Sequence, residues 1–177
     1  MTYPMWAYFP RQLALPDWGS DLLTAVTSRQ VTVDSRSHKR LESDEVLAAL
    51  RDPLLAVGWE IETGKAKTSK IVRPVLYGDN GKVRVKQEID GWHPKEKAIL
   101  EIESGRAWQG NAIFRDLVRA SLIADADYFV LGVRQRYEYG SRNTIQNDFE
   151  RTRDIIDSVY SSGRLKLPFL GLLLFGW

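Results

Sequence analysis

The sequence predicts an α/β domain with a mixed central sheet flanked by helices. Three observations point there. Residues 43–133 offer four strand candidates between two helices and one after them, which contain the core order α-β-β-β-α-β. The strand candidates are separated by strong turn signals. A short apolar run after the second helix reads as a buried strand parallel to the one before that helix.

Ser43-Asp44-Glu45 opens the first core helix, whose apolar side is Val46, Leu47, Leu50, Leu54 and Leu55. Asp52-Pro53 reads as an internal break with a fresh N-terminus, and Gly58 as a C-terminal cap. Trp59 to Thr63 alternates apolar and acidic residues, the pattern of a half-buried strand. Ile71–Tyr77 and Lys82–Asp90 flank Gly78-Asp79-Asn80-Gly81, a hairpin turn. Lys97–Glu103 is the next strand, after a bend at His93-Pro94-Lys95. A helix from about Ala107 to Ala124 places Ile113, Phe114, Leu117, Val118, Ser121 and Leu122 at helical spacing, and Tyr128–Val133 is the buried run.

Outside this core, residues 1–42 form an aromatic, Pro-containing extension with a short helix expected near Ser20–Ser28. Residues 134–177 hold an amphipathic helix from Asn143 to Tyr160, with Ile145, Phe149, Ile156 and Val159 on one side. The apolar run Leu165–Trp177 is too short for the ~20 residues that span a bilayer. It is expected to be a buried strand or docked tail, with a homodimer contact as the other reading. Residues 1–177 are therefore expected to be a single domain.

A chain of 177 residues, 44% hydrophobic and 27% charged, can bury a sizeable core unaided. It has no cysteine, and Met-Thr-Tyr-Pro-Met-Trp is unlike a secretory signal. A cytoplasmic protein is expected, without membrane association or an organic cofactor. Two histidines and no cysteine argue against zinc.

The chemistry concentrates at Asp90 and Glu101-Ile102-Glu103. Side chains at i and i+2 of a strand share a face, so Glu101 and Glu103 project together. The bend at His93-Pro94-Lys95 brings Asp90 beside them. Carboxylates gathered at the ends of apolar strands repel unless a cation shares them. Hard oxygen ligands suit Mg2+ or Mn2+.

This arrangement resembles the PD-(D/E)xK nuclease superfamily, the restriction-endonuclease-like fold. Asp90 matches its Asp and Glu101 its Asp/Glu, while Glu103 stands where Lys is usual and Ile89 where Pro is usual. The resemblance covers roughly residues 43–133. It implies a divalent-metal-dependent endonuclease hydrolysing phosphodiester bonds in DNA, in restriction, repair or phage defence. Asp90, Glu101 and Glu103 would be the catalytic and metal-binding residues. Members often carry another acid ahead of the core strands, which suggests Glu60 as a further ligand, although Glu62 is placed alike. Gln109 and Asn111, opening the following helix, are candidates for ordering water or phosphate. Lys86 could replace the missing motif Lys only by reaching back ~13 Å along its strand. A Glu at position 103 can accept a proton or bind metal but cannot stabilise a phosphorane anion. The alternative is a catalytically inactive module of this fold that binds nucleic acid or a protein partner.

Net charge is only +2, yet residues 63–87 alone carry +6. Lys65, Lys67, Lys70 and Arg73, with Thr68 and Ser69, suit contact with a DNA backbone; a solvated charged hairpin is the plain alternative. Other enzyme classes fit less well. Glycosidase carboxylates flank the scissile bond, whereas Glu101 and Glu103 project in one direction. No glycine-rich phosphate loop is present, and neither His38 nor His93 belongs to an identifiable triad.

Overall fold

The computed structural model describes residues 3–104, 108, 111–139 and 144–177. The N-terminal part runs β1 (Met5–Phe9), α1 (Asp17–Thr27), α2 (Gln30–Val33), α3 (Ser43–Ala56) and β2 (Glu60–Ile61). Then come β3 (Ile71–Tyr77), β4 (Val83–Ile89), β5 (Gly91–His93) and β6 (Ala98–Glu103). The chain ends with α4 (Ala112–Ser121), β7 (Tyr128–Val133), β8 (Tyr137–Tyr139), β9 (Thr144–Gln146), α5 (Asp148–Ser162) and β10 (Gly171–Gly176).

Six strands form a mixed sheet in the order β1-β10-β7-β6-β5-β2. The pairs β6–β7 and β7–β10 are parallel, and the outer pairs are antiparallel. Successive strand residues point to opposite faces, and each face buries its own cluster. On one side Leu100, Ile102, Val130 and Leu173 pack against Leu22 and Val26 of α1 and Leu50 and Leu54 of α3. On the other, Ile99, Phe129, Leu131 and Leu174 pack against Ile113 and Leu117 of α4 and Ile156 of α5. The expected layering is observed.

The apolar C-terminus forms β10, buried between β1 and β7. The strand residues are thus used inside the chain, while Leu165 and Leu170 ahead of it are exposed. Among the described residues, no helix is long and apolar enough to cross a membrane.

Several local expectations need correction. Asp52-Pro53 does not break the helix. Pro53 lies inside α3, whose buried Leu50 and Leu54 hold it on both sides. A proline this close to the C-terminus removes only one late backbone bond. The start of α3 is fixed by a capping box between Glu42 and Glu45, with the Glu42 N–H donating to Glu45 Oε2 at 2.7 Å. Met5–Phe9, foreseen only as part of an extension, is an edge strand.

The larger correction concerns the middle strands. β3 and β4 leave the main sheet as a separate two-stranded ribbon, and the expected strand Lys82–Asp90 stops at Ile89. Its alternating Arg84, Lys86 and Glu88 are all exposed, and such a charged row could not be covered by a helical layer. The chain re-enters the sheet at Gly91, where an added Cβ would sit 2.9 Å from Ile61 Cδ1 and 3.1 Å from Leu100 Cβ. Asp90 is therefore the joint between ribbon and sheet. β8 pairs with β9 as a small hairpin, so the helix expected from Asn143 to Tyr160 instead runs over Asp148–Ser162.

Gly132 shows how tightly the sheet is built next to β6. It pairs with Ile102 on one side and Phe175 on the other. A Cβ there would lie 2.5 Å from Phe175 Cζ and 2.7 Å from Ile102 Cδ1. Gly132→Ala is expected to lower unfolding free energy by about 1–3 kcal/mol through overpacking. Urea denaturation measures it, and a loss below about 0.5 kcal/mol would mean that the two side chains yield freely.

Candidate metal and nucleic-acid site

Alternation along β6 sends Leu100 and Ile102 into the α1–α3 layer, which leaves Ile99, Glu101 and Glu103 facing α4. The two glutamates thus share a face at the C-terminal end of the strand, as the spacing predicts. Asp90 joins them through its own hydrogen bond: its Oδ2 accepts the Ile102 N–H at 2.8 Å. The joint between ribbon and sheet is thereby pinned to β6 between the two glutamates.

The carboxyls repel one another in partly dry surroundings. Burial pushes the Asp90 carboxyl up to about 7, opposed by the Ile102 hydrogen bond and helped by the charge of Glu62. Glu101 is pushed well above the usual carboxylate range by burial and then by Asp90 and Asp116. Glu103 rises to about 8 through burial and a hydrogen bond with Asp116, against the pull of Arg115.

Two further acids complete the cluster, Asp116, which the sequence reading passed over, and Glu62, which it left undecided against Glu60. Asp116 on α4 is 1% exposed and faces Glu101 and Glu103. Its signal was present: it sits with Ile113, Leu117 and Ala120 at i, i+3, i+4 spacing, an acid inside an apolar stripe. Arg115 spans this acid and its neighbour, with Nη2 on Glu103 Oε1 at 2.7 Å and Nε on Asp116 Oδ1 at 2.9 Å. The second acid is Glu62. Its N–H donates to the Asp90 carbonyl at 3.0 Å, and its buried carboxylate faces Asp90. Glu60 is exposed on β2 opposite Trp92, so the structure sets Glu62 beside Asp90 where Glu60 was expected.

The basic residues are also redistributed. Lys70 Nζ grips both oxygens of Glu62 at 2.7 and 2.9 Å. Its ammonium is drawn down by burial but held above its ordinary range by Glu62, Asp90 and Glu88 together. Lys70 is thus a cation of the acidic cluster and is not displayed on an outer arm. Lys65 pairs with Asp44 at 3.0 Å. Arg73 pairs with Asp125 and lies over the Trp92 ring, 4.1 Å from its centroid. Lys67 is exposed in a short turn. Asn111 precedes α4 in a left-handed conformation, exposed and without a capping bond from its side chain. Gln109 lies outside the described residues.

Among the described residues, no three acids are arranged to hold a metal ion between them. A pair suffices for the cation expected here, since Mg2+ commonly takes one or two carboxylates and completes its shell with water and phosphate oxygens. Asp90 and Glu101 fit as that pair: they are hard oxygen donors, and the charge of Asp90 raises the proton affinity of Glu101. Glu101 also receives no hydrogen bond from a described residue that would occupy its carboxyl. Glu103, engaged by Arg115 and Asp116, is not available in the same way.

No family model and no curated protein matches the chain. Among solved structures, it is similar to restriction endonuclease BglII complexed with a DNA 16-mer. The TM-score is 0.54 at 10% identity, over 99% of this chain and 78% of that one. The chain has a restriction-endonuclease fold. At such low identity the likeness is one of architecture, and the site must be argued from its own side chains. In that fold, the carboxyl cluster of this chain lies at the C-terminal end of β6 and against the middle of α4, where the two-stranded ribbon departs.

Proposed function

We propose that this chain is a divalent-metal-dependent endonuclease that hydrolyses phosphodiester bonds in DNA. The observation that carries the reading is the gathering of Asp90 and Glu101, both with elevated proton affinity, beside the Lys70–Glu62 pair. Sites tuned in this way are common where chemistry is done. That the similar solved structure is a restriction endonuclease with DNA supports the substrate class.

Asp90 and Glu101 would hold Mg2+ or Mn2+; when bound, such an ion polarises a phosphoryl oxygen and lowers the pKa of a water. Lys70 supplies the positive charge that Glu103 cannot, from a different element. Its ammonium, held in place by Glu62, is positioned to oppose charge developing on the phosphoryl group. Asp116 and Glu103 together orient Arg115, whose exposed side chain can meet an incoming phosphate. This division of labour replaces the motif lysine with a basic residue that arrives just before the ribbon.

The inactive alternative has its own supporting observation: Glu103 is tied to Arg115 and Asp116, with no three-acid cage among the described residues. Metal binding and cleavage separate the two readings. Calorimetric titration with Mn2+ should show binding that is lost in Asp90→Asn. Plasmid cleavage should need Mg2+ or Mn2+, while Ca2+ should support binding alone, because its looser, larger shell activates water poorly. Binding of duplex DNA without metal binding or cleavage would favour the inactive module.

A further inference from the structure

We propose that the β3–β4 ribbon is the DNA-gripping element of this chain, and that Lys82, Arg84 and Lys86 carry the contact. The inference rests on the nuclease reading and moves the interface away from residues 65–73. Of the four basic residues expected there, three are already neutralised by Asp44, Glu62 and Asp125. Lys82, Arg84 and Lys86 are exposed, and none forms an ion pair among the described residues.

Their spacing makes them a row. Arg84 and Lys86 alternate along β4 and so share a face ~6.6 Å apart, with Lys82 at the entrance of the strand. Glu88 closes the row at its base, where Arg119 Nη2 donates to the Glu88 carbonyl at 2.9 Å and fastens the ribbon to α4. The opposite face is different. There lie Val83 and Val85, whose partners across register shifts in the ladder are Tyr77 and Leu76; all four side chains are exposed, at 51, 38, 58 and 48%. A two-stranded sheet standing alone is marginal in water, and this one displays its apolar side as well. Both features fit an element that works in a complex.

The partner chemistry follows from charge and position. A row of unpaired cations facing one way is complementary to a phosphate backbone. A two-stranded ribbon is one of the few elements that the major groove of duplex DNA admits. The strand ends at Ile89, one residue before Asp90, so the ribbon grows out of the carboxyl cluster. From Ile89 to Val83 the strand covers ~20 Å. At 3.4 Å per base pair, its contacts should fall within roughly six base pairs of the cleaved bond, on one side of it.

The test compares the parent chain, Lys82→Ala/Arg84→Ala/Lys86→Ala, and Lys65→Ala/Lys67→Ala. Each is titrated into a fluorescent 30-base-pair duplex in Ca2+ at several salt concentrations. All five positions are exposed, and thermal melts should confirm that each variant is folded. The ribbon variant should bind at least about tenfold more weakly, with its log–log salt slope shallower by roughly 2–3. The 65/67 variant should lose less. Hydroxyl-radical footprinting of the parent should extend to one side of the cut, and the ribbon variant should lose that extension. Parent binding with an unchanged ribbon variant would overturn the assignment and leave the nuclease reading standing. So would a ribbon variant altered in oligomeric state but equal in DNA affinity. A parent that binds no duplex would overturn the nuclease reading itself, and the ribbon assignment with it.

Discussion

Glu101→Gln should raise the melting temperature of the metal-free chain at pH 8 while abolishing Mn2+ binding and reducing DNA cleavage to background. The amide keeps the shape of the carboxyl and removes its charge from a cluster in which Asp90, Asp116 and Glu103 all push against it. In the folded chain Asp90 titrates at about 7 and Glu103 at about 8. In the unfolded chain both return to roughly 4, the ordinary carboxylate range. Between those values the folded state binds more protons, so its stability is full at low pH and is lost as pH rises through 7–8. The gain from Glu101→Gln must therefore grow from pH 5 to pH 8. Each unit by which its neighbours relax corresponds to about 1.4 kcal/mol, or roughly 3–6 °C in a domain of this size.

The same repulsion is what a cation would relieve. Mn2+ should raise the melting temperature of the parent at pH 8 and leave the variant unmoved, because binding to the folded state alone stabilises it. Cleavage should fall by on the order of 10³-fold or more if the metal and its electrostatic stabilisation are both lost. Unchanged Mn2+ affinity in the variant would remove Glu101 as a ligand. Equal gains at pH 5 and pH 8 would deny the proton linkage.

The parts of this structure that were readable in the sequence are those governed by short-range periodicity. Glu101-Ile102-Glu103 had to place two acids on one face because the strand repeat is two, and Leu100 and Ile102 had to go inward. The turn after His93 fixed β5 against β6, with Gly91 opposite Leu100, and so fixed where Asp90 arrives. What escaped depends on long-range pairing. Met5–Phe9 becomes a strand only because β10 offers an edge more than 160 residues later. Its composition alone could not announce that. The ribbon was read correctly as a hairpin but wrongly as part of the sheet. Its period-two pattern is the same in either setting, and only the lack of anything to cover Arg84, Lys86 and Glu88 decides. Lys70 was grouped with its charged neighbours in sequence because the acid that captures it, Glu62, lies across a loop.

That capture leads to the second large effect. Lys70→Met should both destabilise the chain and silence it, and the two losses can be separated. The pair is well shielded, with side chains 20% and 6% exposed. Removing the ammonium leaves Glu62 buried without its partner and next to Asp90, a defect worth about 3–5 kcal/mol in comparable pairs. Urea denaturation should show a loss of that order. Adding Glu62→Gln removes the stranded charge, so the double variant should recover most of the stability. It should not recover cleavage, because the cation beside Asp90 is still missing. Glu62→Gln alone keeps that cation and should retain more activity than the double variant, though its ammonium is less firmly held. A stable double variant that cleaves like the parent would reduce the pair to a structural bolt, and the positive charge required near the phosphoryl group would then have to come from Arg115. A double variant that binds Mn2+ and duplex DNA normally yet cannot cleave would place Lys70 in the chemical step, in the position that Glu103 leaves empty.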